Sequence, residues 1–269
     1  MGDKSPLGEE ISYEHAYSPE LLHPIPREDE RSTLGLGADL PFRGEDIWNA
    51  YELTWLDVHG KPRVATAEIR VPFNSPNIIE SKSMKLYLNS LAMTHYDAAA
   101  SVADTIAADL SHTAGQDVTV LLASLSDSAA IGELPGSCID GLDVECDTAD
   151  IDRDLLKTTA EEVLSEELHS NLLRSLCPVT GQPDLGSILI RYKGRSIDRA
   201  SLLRYLVSYR NHNDFHETCV ERIFLDIKNK CGPDALTVYA HYNRRGGIDI
   251  NPFRSDFESA AENVRLARQ

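Results

Sequence analysis

A chain of 269 residues, 42% hydrophobic and 26% charged, has the composition of an ordinary soluble globular protein. It is long enough to bury one large core or two smaller ones. Its formal charge of −17 at pH 7 argues against a general nucleic-acid surface, since gripping phosphates takes concentrated Lys and Arg, although a local basic pocket remains possible.

Residues 1–40 read as an extended, weakly structured arm with turn signals at Pro6, Pro19, Pro24 and Pro26. Met1 to Arg31 is polar and acidic, which fits neither a signal peptide nor a transit peptide, so a cytoplasmic address is expected. No apolar stretch approaches the length of a membrane span, and no membrane partner is expected.

A first module over 41–139 carries strand-like runs at Ile47–Leu56, Val64–Pro72 and Val118–Leu125. Helical periodicity fills Ser83–Leu110 through Met84, Leu88, Leu91, Ala92, Ala99, Val102, Ala103 and Ile106. Two strands, helices, then a strand is an α+β order rather than βαβ. Residues 140–168 hold eleven Asp or Glu against only Arg153 and Lys157. That stretch reads as an acidic, solvated linker running into an amphipathic helix at Leu155–Leu173. An acidic partner-binding segment is the sharper alternative.

The second module, 169–269, repeats the order: strand-like Gly186–Lys193, a helical stretch from Ser201 to Lys230, and strand-like Ala235–Tyr242. One shift of 118 positions lays Ser83, Tyr87, Leu88 and Ser90 on Ser201, Tyr205, Leu206 and Ser208. The same shift lays Thr119 and Val120 on Thr237 and Val238, which suggests duplicated modules.

The five cysteines are odd in number and form no Cys-x-x-Cys pair, so neither a disulfide framework nor a Cys-rich zinc site is expected. Cys177 stands apart. It opens the run Cys177-Pro178-Val179-Thr180-Gly181-Gln182-Pro183-Asp184, where Pro178 biases Cys177 away from helical angles. Gly181 and Pro183 turn the chain so that Asp184 can come back toward the sulfur. Asn211-His212-Asn213-Asp214-Phe215-His216-Glu217 supplies a histidine and carboxylates. Together these are the parts of covalent catalysis. A buried structural cysteine in a turn is the plainer alternative. His212 and His216 also have metal-ligand spacing, but no third ligand is evident. No Gly-x-Gly-x-x-Gly follows a strand, so a Rossmann site is not supported. Arg244-Arg245-Gly246-Gly247 reads either as a phosphate-binding turn or as a solvated one.

The Cys177–Asp184 turn, Phe215-His216-Glu217, Glu80-Ser81-Lys82-Ser83-Met84-Lys85-Leu86-Tyr87 and Arg244–Gly247, in their order along the chain, resemble the NADPH-dependent 7-cyano-7-deazaguanine reductases. These are the nitrile reductases of queuosine biosynthesis, and the likeness is to their two-module type. The resemblance implies tandem tunnelling-fold modules, antiparallel sheets with helices packed on one face, and a homodimer. It implies Cys177 as nucleophile, Asp184 as the acid that protonates nitrogen, and His216 assisting. Glu217 would read the purine-like ring by accepting from its N–H and amine. Ile79, Glu80, Ser81 and Phe215 would complete the substrate pocket beside His216. Ser81, Lys82, Arg245 and Gly246 would hold NADPH. With the thiol on one module and Glu80 on the other, the site is expected where the halves meet. Donation by Asp184 near neutral pH needs its pKa raised, and burial beside a thiolate is expected to do that.

Three rivals stand against this reading. A thiol hydrolase or transferase would use Cys177, His216 and Asp184 as a triad without nicotinamide. A purine- or pterin-binding module would use Glu217 alone. The third is a cyclohydrolase-like zinc enzyme.

Overall fold

The computed structural model describes residues 16–127 and 130–269. The arm's turn at Pro6 lies outside the described residues. From Ala16 onward the arm is ordered, against the expectation of weak structure. A 3-10 turn at Pro19–Leu21 leads into β1 (Pro24–Pro26) and α1 (Arg27–Thr33). Arg27 and Arg31 of α1 are buried. β1 pairs antiparallel with β4 (Asn77–Ile79), which anchors the arm just ahead of Glu80.

The main sheet has eight strands: β2 (Arg43–Leu56), β3 (Pro62–Pro72), β5 (Thr119–Ala123), β6 (Ser137–Cys138), β7 (Thr158–Leu176), β8 (Pro183–Ile197), β9 (Ala235–Tyr242) and β10 (Ile248–Ser255). Their order is β5-β3-β2-β10-β9-β8-β7-β6, antiparallel except where β6 meets β7. The expected modules, 41–139 and 169–269, meet along the pairing of β2 with β10, so one sheet runs through both.

The helices are α2 (Ser81–Ser90), α3 (Ala99–Ala114), α4 (Arg199–Val207) and α5 (His216–Cys231). Alternation along each strand sends successive side chains to opposite faces. Trp48 and Ile69 join Met84, Val102 and Ile106 in one core, and Ile190 and Val238 join Leu206, Ile223 and Phe224 in another. Ile47, Leu189, Tyr239 and Phe253 turn to the other face, under Leu134 and Leu266. The α+β class and the helices on one face agree with the sequence reading.

The 118-residue shift also carries over element by element. β2, β3, α2, α3 and β5 correspond to β7, β8, α4, α5 and β9. Both expected long helices are interrupted, and at equivalent places. Leu56 N donates to Thr94 O (2.9 Å) and Tyr96 N to Leu56 O (2.8 Å), which opens the chain between α2 and α3. Leu176 N donates to His212 O (2.8 Å) and Asp214 N to Leu176 O (3.2 Å), which opens it between α4 and α5.

One expectation is overturned outright. Leu155–Leu173, read as a helix growing out of the acidic linker, is largely strand β7. Register shifts between Thr158/Glu162, Val163/Glu166 and Ser170/Leu173 interrupt its alternation. The buried side chains then fall at Leu168 and Ser170 and, after the shift, at Leu173 and Ser175, so the alternation is offset by one residue partway along the strand. The acidic residues are not merely solvated. Glu166 pairs with Arg199, and Glu167 pairs with Arg191.

An ionic cluster joins arm, first module and second module. Arg254, with no exposed side-chain surface, donates to Asp46 (2.8 Å) and Glu221 (2.9 Å). Arg27 donates to Asp46 (2.6 Å) and Ser75 (3.1 Å), and Arg31 donates to both carboxylate oxygens of Glu221. Burial disfavours the charged carboxylates, but the arginines outweigh it and hold Asp46 and Glu221 below the usual range.

Candidate active site

The β7–β8 hairpin presents Cys177. Gly181 takes φ +67°, a left-handed angle open to glycine. Its N–H donates to Cys177 O (2.9 Å), and Cys177 N donates to Gln182 O (2.9 Å), so the turn is closed around the thiol. Ser175 pairs with Asp184 across the hairpin, bringing the carboxylate to the same end as the sulfur. The Leu176–Asn213 bridge then fixes this turn against the start of α5. Just ahead of the helix, Asp214 accepts from Phe215 N (2.9 Å). His216 and Glu217 open the helix.

All five cysteines are free thiols. Burial opposes ionisation of Cys177, but hydrogen bonds from the Thr180 side chain and from the backbones of Thr180 and Val179 outweigh it. The thiol is held below its ordinary pKa, although the charge of Asp184 pushes the other way. Burial instead raises Cys219, and it raises Cys231 to about 11. Cys177 is the more readily ionised of the three.

Asp184 is buried between Arg245 and His216. Arg245 Nη1 pairs with its Oδ1, and His216 Nε2 lies 3.2 Å from its Oδ2, outside the angular range of a good hydrogen bond. The His216 ring stacks on Tyr242 at 3.9 Å between centroids. Burial works to raise the pKa of Asp184, but His216 and Arg245 outweigh it and hold the carboxyl low. The expectation that burial beside the thiol would raise it is therefore corrected for the free protein.

Glu217 presents the opposite case. It is buried, and burial together with the nearby charge of Asp46 pushes it up to about 7, against the pull of His216 and Arg27. A buried carboxyl poised near neutrality beside a cleft is suited to a ligand that brings its own donors.

One cleft is lined by Ile79, Glu80, Ser81, Cys177, Asp184, Phe215, His216, Glu217 and Arg245, drawn from both modules. Glu80 spends both carboxylate oxygens on the first turn of α2, accepting from Lys82 N (2.8 Å) and Ser83 N (2.7 Å). Lys82 is exposed on that turn and does not line the cleft. Gly246 lines an adjoining hollow that shares Lys85 with the cleft. Sequence reasoning missed Trp48, Ile248 and Ile250 in the lining, because their alternation is that of any strand core. The two histidines at metal-ligand spacing take separate carboxylates, His212 with Asp214 at 3.1 Å and His216 with Asp184. His212, Asp214 and Cys219 form the one group near enough to share an ion among the described residues, but Arg222 lies 3.7 Å from Asp214.

The cleft's rim fits an anionic dinucleotide. Lys85 and Arg245 line the cleft, Arg244 adjoins Arg245 in sequence and Lys82 is exposed on the first turn of α2, in a chain whose net charge is −17. At Gly246, φ is +61° and a Cβ would lie 3.0 Å from Lys85 Cδ, so glycine keeps this backbone open beside a cation. Burial, then the charge of Arg245, lowers the pKa of Lys85.

Comparison with known proteins gives a consistent result. Residues 13–122 match the family described as "Nitrile reductase, 7-cyano-7-deazaguanine-reductase N-term", and residues 183–261 match "QueF-like protein". A protein of Dechloromonas aromatica named NADPH-dependent 7-cyano-7-deazaguanine reductase is 55% identical, covering 98% of this chain and 95% of its own length. One of the same name from Hydrogenovibrio crunogenus is 49% identical, covering 99% and 97%. The crystal structure of the archaeosine synthase QueF-Like in the apo form matches 37% of this chain and 98% of its own at 15% identity. Its TM-score of 0.32 is too low to carry an argument. No helix among the described residues is long and apolar enough to cross a membrane.

Proposed function

This chain belongs to the family of NADPH-dependent 7-cyano-7-deazaguanine reductases, and from that premise we propose that it reduces the nitrile 7-cyano-7-deazaguanine to 7-aminomethyl-7-deazaguanine through a covalent thioimidate on Cys177. The observation that carries this reading is the single cleft holding a thiol of lowered pKa, the Asp184–His216 pair and the buried Glu217. The pathway would be queuosine biosynthesis, in the cytoplasm, and the enzyme would work as a homodimer.

Glu217, once ionised, accepts from the ring N–H and exocyclic amine of the substrate, and Phe215 covers the ring. Ile79 and Ser81 close the pocket from the first module. Cys177, as thiolate, adds to the nitrile carbon, so a C–S bond forms and one C≡N electron pair moves to nitrogen. That nitrogen takes a proton from Asp184, with His216 assisting. Arg245, Gly246, Ser81 and Lys82 would hold NADPH, which when bound supplies hydride, two equivalents per nitrile. Cys177 leaves as thiolate after the first reduction, and the Asp184–His216 pair can supply the second proton.

The test is NADPH consumed against amine formed, with 7-cyano-7-deazaguanine as substrate. Two NADPH per amine is the expected result. A cysteine-dependent reaction of the same compound without NADPH oxidation would favour the hydrolase rival.

A further inference from the structure

Asp184 is held in a form unsuited to the task proposed for it. Protonating the nitrile nitrogen needs a neutral carboxyl, yet in the free protein one carboxylate oxygen pairs with the Arg245 guanidinium and the other faces the His216 ring. The two partners differ in how they are fixed. His216 is stacked on buried Tyr242 at the start of α5. Arg245 sits in the β9–β10 turn, beside Gly246 at φ +61° and Gly247 at φ +84°, on the rim that fits an anionic group. Its other nitrogen donates to the exposed Gln182 (2.5 Å), so Arg245 bridges Asp184 to the solvent edge. One residue is therefore the counter-ion of the acid and also part of the cationic rim.

We propose that Arg245 is a counter-ion operated by the cofactor: it keeps Asp184 ionised in the free protein and, when its guanidinium turns to the phosphate of the bound dinucleotide, leaves Asp184 able to carry the proton that the nitrile nitrogen needs. This rests on the thioimidate reading above. The other groups facing Asp184 act in known directions. His216 and Lys85 favour its ionised form, Cys177 as thiolate opposes it, and Tyr242 stays neutral because burial keeps its pKa well above 10. Removing Arg245 from this set raises the affinity of Asp184 for a proton. The device would couple formation of the covalent adduct to occupancy of the cofactor site.

The test measures the rate of adduct formation by intact mass across pH, using the full chain, the nitrile, and NADP+ as a cofactor that cannot deliver hydride. The reactive form pairs a thiolate with a protonated carboxyl. Between the two pKa values its share rises about tenfold for each unit by which Asp184 is raised. In wild type, saturating NADP+ is expected to speed adduct formation about tenfold or more near neutral pH and to move the low-pH limb of the profile upward. Arg245→Gln should show the faster rate and shifted limb without cofactor, and NADP+ should add nothing further. A rate gain with an unmoved limb would mean that NADP+ only orders the site, and would overturn the proposal. A wild-type profile indifferent to NADP+ would overturn it too. No adduct at any pH would sink the thioimidate reading itself, and this inference with it.

Discussion

The two modules share a scaffold and differ in what they place on it. Each has a long hairpin whose first strand is bridged to the loop between its helices, Leu56 to His95 in the first and Leu176 to Asn213 in the second. Each opens its first helix with an acidic cap, Glu80 in one and Asp198 in the other. At the hairpin turn the first module has His59 where the shift of 118 gives Cys177, and at the later helix it has Ala98 and Ala99 where the second has His216 and Glu217. The reactive groups thus stand on one copy, while the other turns Ile79, Glu80, Ser81 and Lys85 toward the same cleft. The cleft therefore takes its thiol, Asp184, His216 and Glu217 from one module and part of its wall from the other.

The comparison can be broken most severely at the thiol. Cys177→Ala should abolish turnover while leaving substrate affinity within a fewfold of wild type, checked by NADPH oxidation and by calorimetry. A rate that survives would remove the second module's distinction. The next effect lies where the modules join. Arg254→Met leaves Asp46 and Glu221 with a buried partner missing and should cost about 3–5 kcal/mol in chemical denaturation.

Glu217→Gln should weaken substrate binding by roughly tenfold or more, the scale of about 1.5–3 kcal/mol for a hydrogen bond to a charged group. Wild-type affinity should rise as pH passes through about 7, the value to which burial pushes Glu217, and the variant should lose that dependence. The linked stability effect has the opposite sign. The folded protein holds the Glu217 proton more tightly than the unfolded chain does, so this group costs stability as pH rises from about 4.5 through about 7. Glu217→Gln should remove that slope in a denaturation series.

The smallest effect sharpens the comparison most. Glu80→Ala and Asp198→Ala should each cost about 1 kcal/mol, as lost helix caps. Only Glu80→Ala should also weaken substrate binding, since only Glu80 lines the cleft. Equal binding losses in both variants would mean that the caps act through stability alone.

Much of this was legible in the sequence because local chemistry and tertiary structure agree. Ala235–Tyr242 is a strand with the limits its alternation gives. Cys177, Asp184, His216 and Glu217 lie in one cleft with Glu80, as motifs split between duplicated halves require. Two kinds of information were not legible. Register shifts in β7 broke the alternation that would have marked it as a strand, although the 118-residue shift lays that segment on strand β2. The charge state of Asp184 depends on Arg245, which is 61 positions away in sequence, and neither the turn nor the Asp itself carries that sign. The arm misled for a similar reason. Its prolines signal turns, but Arg27 and Arg31 are fixed by Asp46 and Glu221, partners that no local pattern announces.

The most direct test of the central claim is the intact mass of the protein mixed with 7-cyano-7-deazaguanine in the absence of NADPH, followed by peptide mapping. The account predicts a mass gain equal to one nitrile molecule, located on Cys177 and absent from Cys177→Ala. An unshifted mass, or an adduct mapped to another cysteine, would contradict it.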